Sequence, residues 1–288
     1  MKKIAIVLDS SVSFTQDQIE DYDVYIAPLT ITHNNVSYID QVTITKEEVN
    51  NLLREHQLLT TSQPSIGTMI EIFEDIKEKD YDYTFVLSIG TALSGSFNAF
   101  NHAAAEAGLS NFEVINTYSI TGPVQQGVKA IRSMQDHESI ENISNTLHSI
   151  FDNQVSYIYP KTLDQVVLSG RMSKTASRIA NMLRVKPVLH LENKAESIEV
   201  LTIARTDRRA FKALVDDFIK HKVDPFTHDL YLLESEGMET LEKFKDYVSD
   251  KMGEFETYII NLPAAVATHA GLGTIAIQWC PKLKKKED

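Results

Sequence analysis

Cysteine is almost absent: Cys280 is the one thiol in 288 residues. An intramolecular disulfide is therefore excluded, a thiolate metal site lacks its ligand set, and a reducing compartment fits. Long apolar runs are absent as well. Nothing approaches the roughly 20 residues of a membrane span. Ile4–Leu8, directly after Met1-Lys2-Lys3, is too short for a signal-peptide core, so a cytoplasmic chain without a transmembrane segment is expected. Positive charge is in deficit: 28 Lys and Arg against 40 Asp and Glu leave a formal net charge of −12. Nucleic acid is not an expected partner of such a chain.

Nucleotide and metal motifs fail on inspection. Gly122 to Lys129 has the glycine spacing of a P-loop but puts Val128 where the lysine must stand. Gly271-Leu272-Gly273-Thr274-Ile275-Ala276 matches a relaxed dinucleotide fingerprint, yet it comes late and reads into a strand. The nine histidines include no H-x-H or H-x-x-x-H pair. No cofactor and no metal are expected.

What remains is a globular composition, with 43% hydrophobic and 24% charged residues, which argues against long disorder. At about 150 residues per domain, the length suggests two domains. The first third alternates strands and helices. Ile4–Leu8 reads as a buried strand and Val24–Ile31 as a second, with Pro28 pushing it towards an edge or a bulge. Thr15-Gln16-Asp17-Gln18 and Thr45-Lys46-Glu47-Glu48 are capping boxes that open helices. Ile66, Met69, Ile70, Phe73 and Ile76 recur at helical spacing. Tyr83–Ser88 and Phe112–Asn116 read as strands, each followed by a helix. Such alternation implies βαβ units and a mostly parallel sheet.

After a linking helix at about 138–153 the rhythm changes. Lys186–Glu192 and Ser197–Arg205 read as a hairpin across an Asn193-Lys194 turn. An amphipathic helix at Asp207–His221 and a strand–helix–strand run follow, and Lys282–Asp288 is a charged tail. The expected fold is α/β: an N-terminal, mostly parallel α/β domain at 1–155, then a C-terminal α+β domain with a mixed or antiparallel sheet at 156–288.

Two hydroxyl-rich segments stand out. Thr60, Thr61, Ser62 and Ser65 flank one helix start; Ser88, Thr91, Ser94 and Ser96 flank another. Read as post-strand or pre-helix turns, they converge with Asp9-Ser10 on one sheet edge, where helix N-termini favour anions. Plain N-capping accounts for the same residues. Ser94 also sits where a hydrolase nucleophile would, with His269 as its base, but Ala92-Leu93-Ser94-Gly95-Ser96 is not G-x-S-x-G. His269 reads as part of a Gly-flanked turn, as a ligand contact or a hydrogen-bonded structural histidine. Arg171, Lys174, Arg178, Arg184 and Lys186 form a local basic island, and Arg205, Arg208 and Arg209 another. A solvated face or a docking surface for an acidic partner explains both.

Several of these pieces in order resemble the DegV family of fatty-acid-binding proteins: Asp9-Ser10-Ser11, Pro28-Leu29, Tyr38-Ile39-Asp40, Thr61-Ser62-Gln63-Pro64-Ser65, Leu93-Ser94-Gly95-Ser96, Ser169-Gly170-Arg171-Met172-Ser173, Lys186-Pro187, Ala204-Arg205-Thr206, and His269 with Gly271 and Gly273. The resemblance implies one long-chain fatty acid in a buried tunnel between the domains, its carboxylate held by Thr61, Ser94 and His269. Ser62, Ser96, Arg171 and Arg205 are then secondary head-group or partner-surface positions. The chain would be a carrier rather than an enzyme. A separate ATP-dependent fatty acid kinase subunit would phosphorylate the carboxylate to an acyl phosphate for bacterial phospholipid synthesis. A serine-dependent lipid or acyl-ester hydrolase with Ser94 as nucleophile is the alternative. A buried acyl chain at about 0.8 kcal/mol per methylene supplies on the order of 10 kcal/mol before ordering costs.

Overall fold

The computed structural model describes residues 2–182, 184–192 and 194–283. The turn expected at Asn193-Lys194 and the end of the charged tail at 284–288 fall at least partly outside them. The chain divides into two compact units, one of residues up to 152 with 263–265, the other of 153–262 with 266 onward.

In the first unit, β1 (Ile4–Asp9) is fully buried along its length, as a strand covered on both faces must be. Helix α1 (Gln16–Asp21) follows, opened by the Thr15 capping box, and leads to β2 (Tyr25–Ala27). The apolar run through Pro28 is not one strand. It breaks into β2 and β3 (Thr30–His33), which belong to different sheets. Proline has no N–H to give a ladder, so the run cannot continue in register through residue 28. β3 turns back through Asn34-Asn35, both at positive φ, into β4 (Val36–Ile39). That two-residue hairpin matches strand twist through its left-handed pair.

Helix α2 (Lys46–Arg54) starts at the Thr45 capping box and ends in a Schellman arrangement. The amide of Gln57 donates to Leu52 and that of His56 to Leu53, with His56 at φ 56°. A side chain in the left-handed region is strained there. His56→Gly is expected to raise stability by about 0.5–1 kcal/mol, read as a higher urea midpoint.

The chain continues as β5 (Leu59–Ser62), α3 (Ile66–Glu78), β6 (Tyr83–Ser88), α4 (Ser96–Glu106), β7 (Phe112–Asn116), α5 (Gly122–Met134) and α6 (Ile140–Asp152). β2, β1, β6 and β7 form a wholly parallel sheet in that order, with Ile4 opposite Tyr83. Helices cover both faces. Val7 and Val86 pack with Met69 and Phe73 of α3 and Phe100 and Ala103 of α4. On the other side Leu87 meets Gly127 of α5, where Phe151 and Leu147 of α6 also crowd in. Beside this sheet, β4, β3 and β5 make a three-stranded antiparallel sheet.

The second unit opens with β8 (Val155–Tyr159) and α7 (Asp164–Leu168). β9 (Lys186–Glu192) and β10 (Glu199–Ala204) pair antiparallel, as the sequence predicts. Helix α8 (Asp207–Lys220), β11 (His228–Ser235), α9 (Met238–Met252), β12 (Thr257–Asn261), α10 (Ala264–Ala270) and β13 (Thr274–Pro281) complete the chain. The six-stranded sheet runs β10-β9-β8-β13-β11-β12; β11 and β12 are parallel and every other pair antiparallel. Phe211, Leu214 and Phe218 of α8 and Leu241 and Phe244 of α9 pack on Tyr157, Leu230, Leu232, Ile275 and Ile277. Within this core the buried Tyr157 hydroxyl is satisfied: it donates to Asp217 at 2.8 Å and accepts from the Trp279 indole at 3.2 Å. A parallel α/β unit followed by a mixed α+β unit is the expected fold class.

Candidate functional site

The carboxyl ends of the parallel strands carry most of the polar chemistry of the first unit. β1 ends at Asp9, which is buried. Its Oδ1 accepts from the amide and hydroxyl of Ser11, and its Oδ2 accepts from the Ile89 amide at 2.8 Å. One carboxylate thus caps the 3-10 turn at Ser10–Val12 and ties the end of β1 to the end of β6. Burial pushes the Asp9 carboxyl above its ordinary value, and these donors pull it back. Next to it, the Ser10 hydroxyl donates to Asp40 Oδ2 at 2.7 Å and accepts from the Leu29 amide at 3.1 Å. Burial, with the neighbouring Asp9 charge, raises Asp40 to about 6 against the Ser10 and Gln41 hydrogen bonds.

Thr61 and Ser62 are not in a turn beyond a parallel strand. They lie within β5, opposite Ile31 and Thr30 of β3. The physical reason is pairing: Thr is a good strand residue, and the ladder to β3 satisfies the backbone that a turn would leave to caps. Thr61 is half-buried and Ser62 exposed. Pro64 precedes the helix rather than entering it; the cap of α3 is Ser65, whose hydroxyl accepts from the Thr68 amide at 3.0 Å.

Ser94 lies between β6 and α4. Its amide donates to the Gly90 carbonyl at 3.2 Å, and its hydroxyl oxygen accepts from the Ser96 amide at 3.3 Å. The two hydroxyls of Ser94 and Ser96 are 2.8 Å apart. Ser96 is fully buried and Ser94 half-buried. Ser94 is not among the residues at positive φ, so it does not form the strained elbow a hydrolase nucleophile needs.

The two hydroxyl-rich segments meet. A Cβ at Gly95 would stand 2.5 Å from Oε1 of Gln63, so the Gln63 amide occupies the space a side chain at 95 would take. Gln63 is two residues past Thr61, and Gly95 is next to Ser94. The loop holding Ser94 rests in turn on the segment after β7. Gly90 donates to Ser119 at 3.0 Å, and Asn116 bonds Thr91 through both its amide group and its carbonyl. The bed beneath it is buried and hydroxyl-bearing, with Thr117 donating to the Ser88 carbonyl at 2.8 Å and Thr121 to that of Ser11 at 2.7 Å.

His269 belongs to the second unit. It occupies the last turn of α10 rather than a free turn, because the helix runs on to Ala270 before Gly271 and Gly273, at φ 82° and 79°, reverse the chain into β13. Both glycines lie under side chains of the 161–165 segment, Gln165 over Gly271 and Lys161 over Gly273. Burial lowers the His269 imidazole to about 4, and the Arg171 charge adds to the effect. His269 is therefore neutral at pH 7, with a guanidinium close enough to be felt. Arg171 is itself part-buried, which lowers its affinity for a proton, and it donates to the Ser169 carbonyl within its own turn. Arg205 is exposed in the bend between β10 and α8. Of the basic island, Lys186 is paired with Asp207.

Thr61 and Ser94 are thus placed on neighbouring segments of one unit, and His269 beside Arg171 in the other. Sequence reasoning missed the Ser10–Asp40 bond, the Gln63–Gly95 approach and the bed at 117–121. The Asp-Ser-Ser turn was the signal for the first; the others join residues too far apart in sequence to be read together. Among the described residues, no group of three or more His, Cys, Asp or Glu is placed to hold a metal. No helix there is long and apolar enough to cross a membrane.

A family model described as "Uncharacterised protein, DegV family" matches residues 3–282. A DegV domain-containing protein of Caldanaerobacter subterraneus is 29% identical over 272 residues, covering 94% of this chain and 96% of its own. Among solved structures, a fatty-acid-binding DegV family protein from Streptococcus agalactiae superposes with a TM-score of 0.88 at 23% identity, covering 98% of this chain and 100% of its own. One from Thermus thermophilus, described by its fatty acid binding, gives 0.86 at 23% identity, with 97% and 100% covered. A stearic-acid-binding protein from Eubacterium ventriosum gives 0.84 at 22% identity, with 98% and 99% covered. At these identities the likeness establishes the fold.

Proposed function

This chain belongs to the DegV family, and on that premise we propose that it binds one long-chain fatty acid in a buried tunnel and presents the carboxylate to a separate ATP-dependent fatty acid kinase subunit. The observation that carries this reading is the Gln63–Gly95 approach, which draws the Thr61 strand and the Ser94 loop together. Two hydroxyls held on rigid backbone suit a carboxylate, which accepts hydrogen bonds and offers none. The Ser94 oxygen accepts from the Ser96 amide, and with the Ser96 hydroxyl as donor across their 2.8 Å contact the Ser94 proton is left for an anion. Helix α4 begins directly behind it, and its N-terminal amides favour negative charge.

We infer that His269 completes the head-group set as a neutral imidazole, a hydrogen-bonding partner rather than a counter-ion. The formal positive charge near it is that of Arg171. Ser62, Ser96 and Arg205 are secondary positions, of which exposed Ser62 and Arg205 suit a partner surface and buried Ser96 a supporting role. Phosphoryl transfer then depends on the partner's magnesium and positioning groups.

Native mass spectrometry of the purified protein is expected to find one fatty acid per chain. Thr61→Ala and Ser94→Ala are each expected to weaken fatty acid binding by about 1–3 kcal/mol, since each leaves the anion short of a donor. Adding a fatty acid kinase subunit and ATP should convert the bound lipid to acyl phosphate, while the chain alone consumes no ATP. Unchanged affinity in both variants would remove the head-group assignment. An acyl phosphate yield no higher with the chain than without it would remove the carrier role.

A further inference from the structure

A cavity of about 500 Å3 opens in the first unit, with the hydrogen-bonded Ser10 and Asp40 in its lining. Its size falls in the range of small-molecule sites. The lining is sharply divided. Phe14, Ile19, Ile26 and Val42 supply apolar walls, Ser10 and Asp40 a polar base, and Gln16 and Gln41 a polar margin.

Asp40 is 1% exposed; Ser10 donates to its Oδ2, and the Gln41 side chain also approaches the carboxyl. Oδ1 is buried and meets no hydrogen-bond partner of normal geometry. A buried carboxylate oxygen in that state is costly, and such groups in native proteins are met by a donor. The lining contains no Lys, Arg or His, and Asp9 adds a second buried carboxyl nearby. An anion is disfavoured here on charge alone. A cation with an apolar body satisfies both halves of the lining.

We propose that this cavity binds a small amphipathic amine, its ammonium donating to Asp40 Oδ1 and its apolar body packed against Phe14, Ile19, Ile26 and Val42. This is chemistry of the opposite sign to a fatty acid carboxylate, and it stands or falls separately from the reading above. The carboxylate holds the ammonium by a charge-assisted bond. The Ser10 hydroxyl fixes the carboxylate, and the Leu29 amide fixes that hydroxyl. The base of the site is therefore set before a ligand arrives.

The test titrates the full chain with tryptamine and with indole-3-propionate, which share a ring and differ in the sign of the head. Methyl resonances of Ile19, Ile26 and Val42 report the binding. Tryptamine is expected to bind with a Kd near or below about 1 mM, and indole-3-propionate to leave these methyls unmoved. Asp40→Asn should weaken tryptamine at least ~10-fold. Val42→Trp should abolish its binding while fatty acid retention stays unchanged. Val42 is 70% exposed, so that variant keeps its fold and decides the matter if Asp40→Asn does not. Rejection of both probes, equal response to both, or tryptamine binding that survives Val42→Trp overturns the proposal. So does a tryptamine response abolished by added fatty acid, which would move the binding to the head-group site.

Discussion

His269→Asn is expected to uncover a gain in stability of this fold in mild acid that the wild-type chain largely cancels. The folded-state imidazole sits at about 4 against an ordinary 6.5. Below pH 6.5 the unfolded chain takes the proton first, so acidification draws the equilibrium towards it. The stability His269 contributes is complete above about 6.5 and falls away down to about 4. The gap amounts to at most about 3 kcal/mol, the side chain being incompletely buried. Asp40 acts with the opposite sign. Its folded-state value is about 6 against an ordinary 3.8, so the folded protein takes that proton first. Stability therefore rises as the pH falls from about 6 towards 3.8, by about 3 kcal/mol.

The two contributions oppose each other across the same window. In the wild-type chain they largely cancel between about pH 4 and 6. Without His269, the rise from Asp40 should show: relative to wild type, the variant gains stability at pH 4.5 compared with pH 7.5. Asp40→Asn should do the reverse, more stable than wild type at pH 7.5 and losing that advantage as acid is added. Urea unfolding at three pH values reads both, and a variant whose pH profile runs parallel to wild type disproves its half of the account.

The second large effect belongs to Gly90. A Cβ there would stand 2.9 Å from the Tyr118 carbonyl carbon and 3.0 Å from the Ser119 nitrogen. Both are backbone, in a segment already held by the Gly90–Ser119 and Thr117–Ser88 bonds. No side chain can swing aside, so the loop itself must lift. Gly90→Ala is expected to cost about 3 kcal/mol, at the upper end of overpacking. It should also weaken fatty acid binding by moving Ser94. Gly67→Ala is the control: it lies in α3 with only the Ser65 hydroxyl at 3.9 Å, and it should stabilise by up to about 1 kcal/mol. Equal urea midpoints for the two variants would refute the packing argument.

How far the sequence can be read depends on where each element gets its stability. Tyr83–Ser88 and Phe112–Asn116 are legible to the residue, because apolar pattern and flanking polar turns agree. The small antiparallel sheet is not. Leu59–Ser62 is a strand made largely of hydroxyl residues, and its partner Thr30–His33 hides in an apolar run through Pro28. Asn34-Asn35 was the one local sign of the hairpin.

The candidate site shows the same division. Thr61, Ser94, Arg171 and His269 are legible as candidates by residue type, but Thr61 lies in a strand and His269 in a helix rather than in the expected turns. Their environments are not legible. The neutrality of His269 comes from burial and Arg171, and the raised Asp40 from burial and Asp9. Both depend on neighbours that only the tertiary fold supplies.

The position of β1 in its sheet has a consequence during synthesis. Ile4–Leu8 is the most apolar stretch near the start of the chain, and before Tyr83 emerges its only partner is the three-residue β2. At about 5–20 residues per second, that leaves the strand without its main partner for roughly 4–16 s. The nascent chain meets the cell's chaperones in that interval, with its stickiest segment already outside the ribosome.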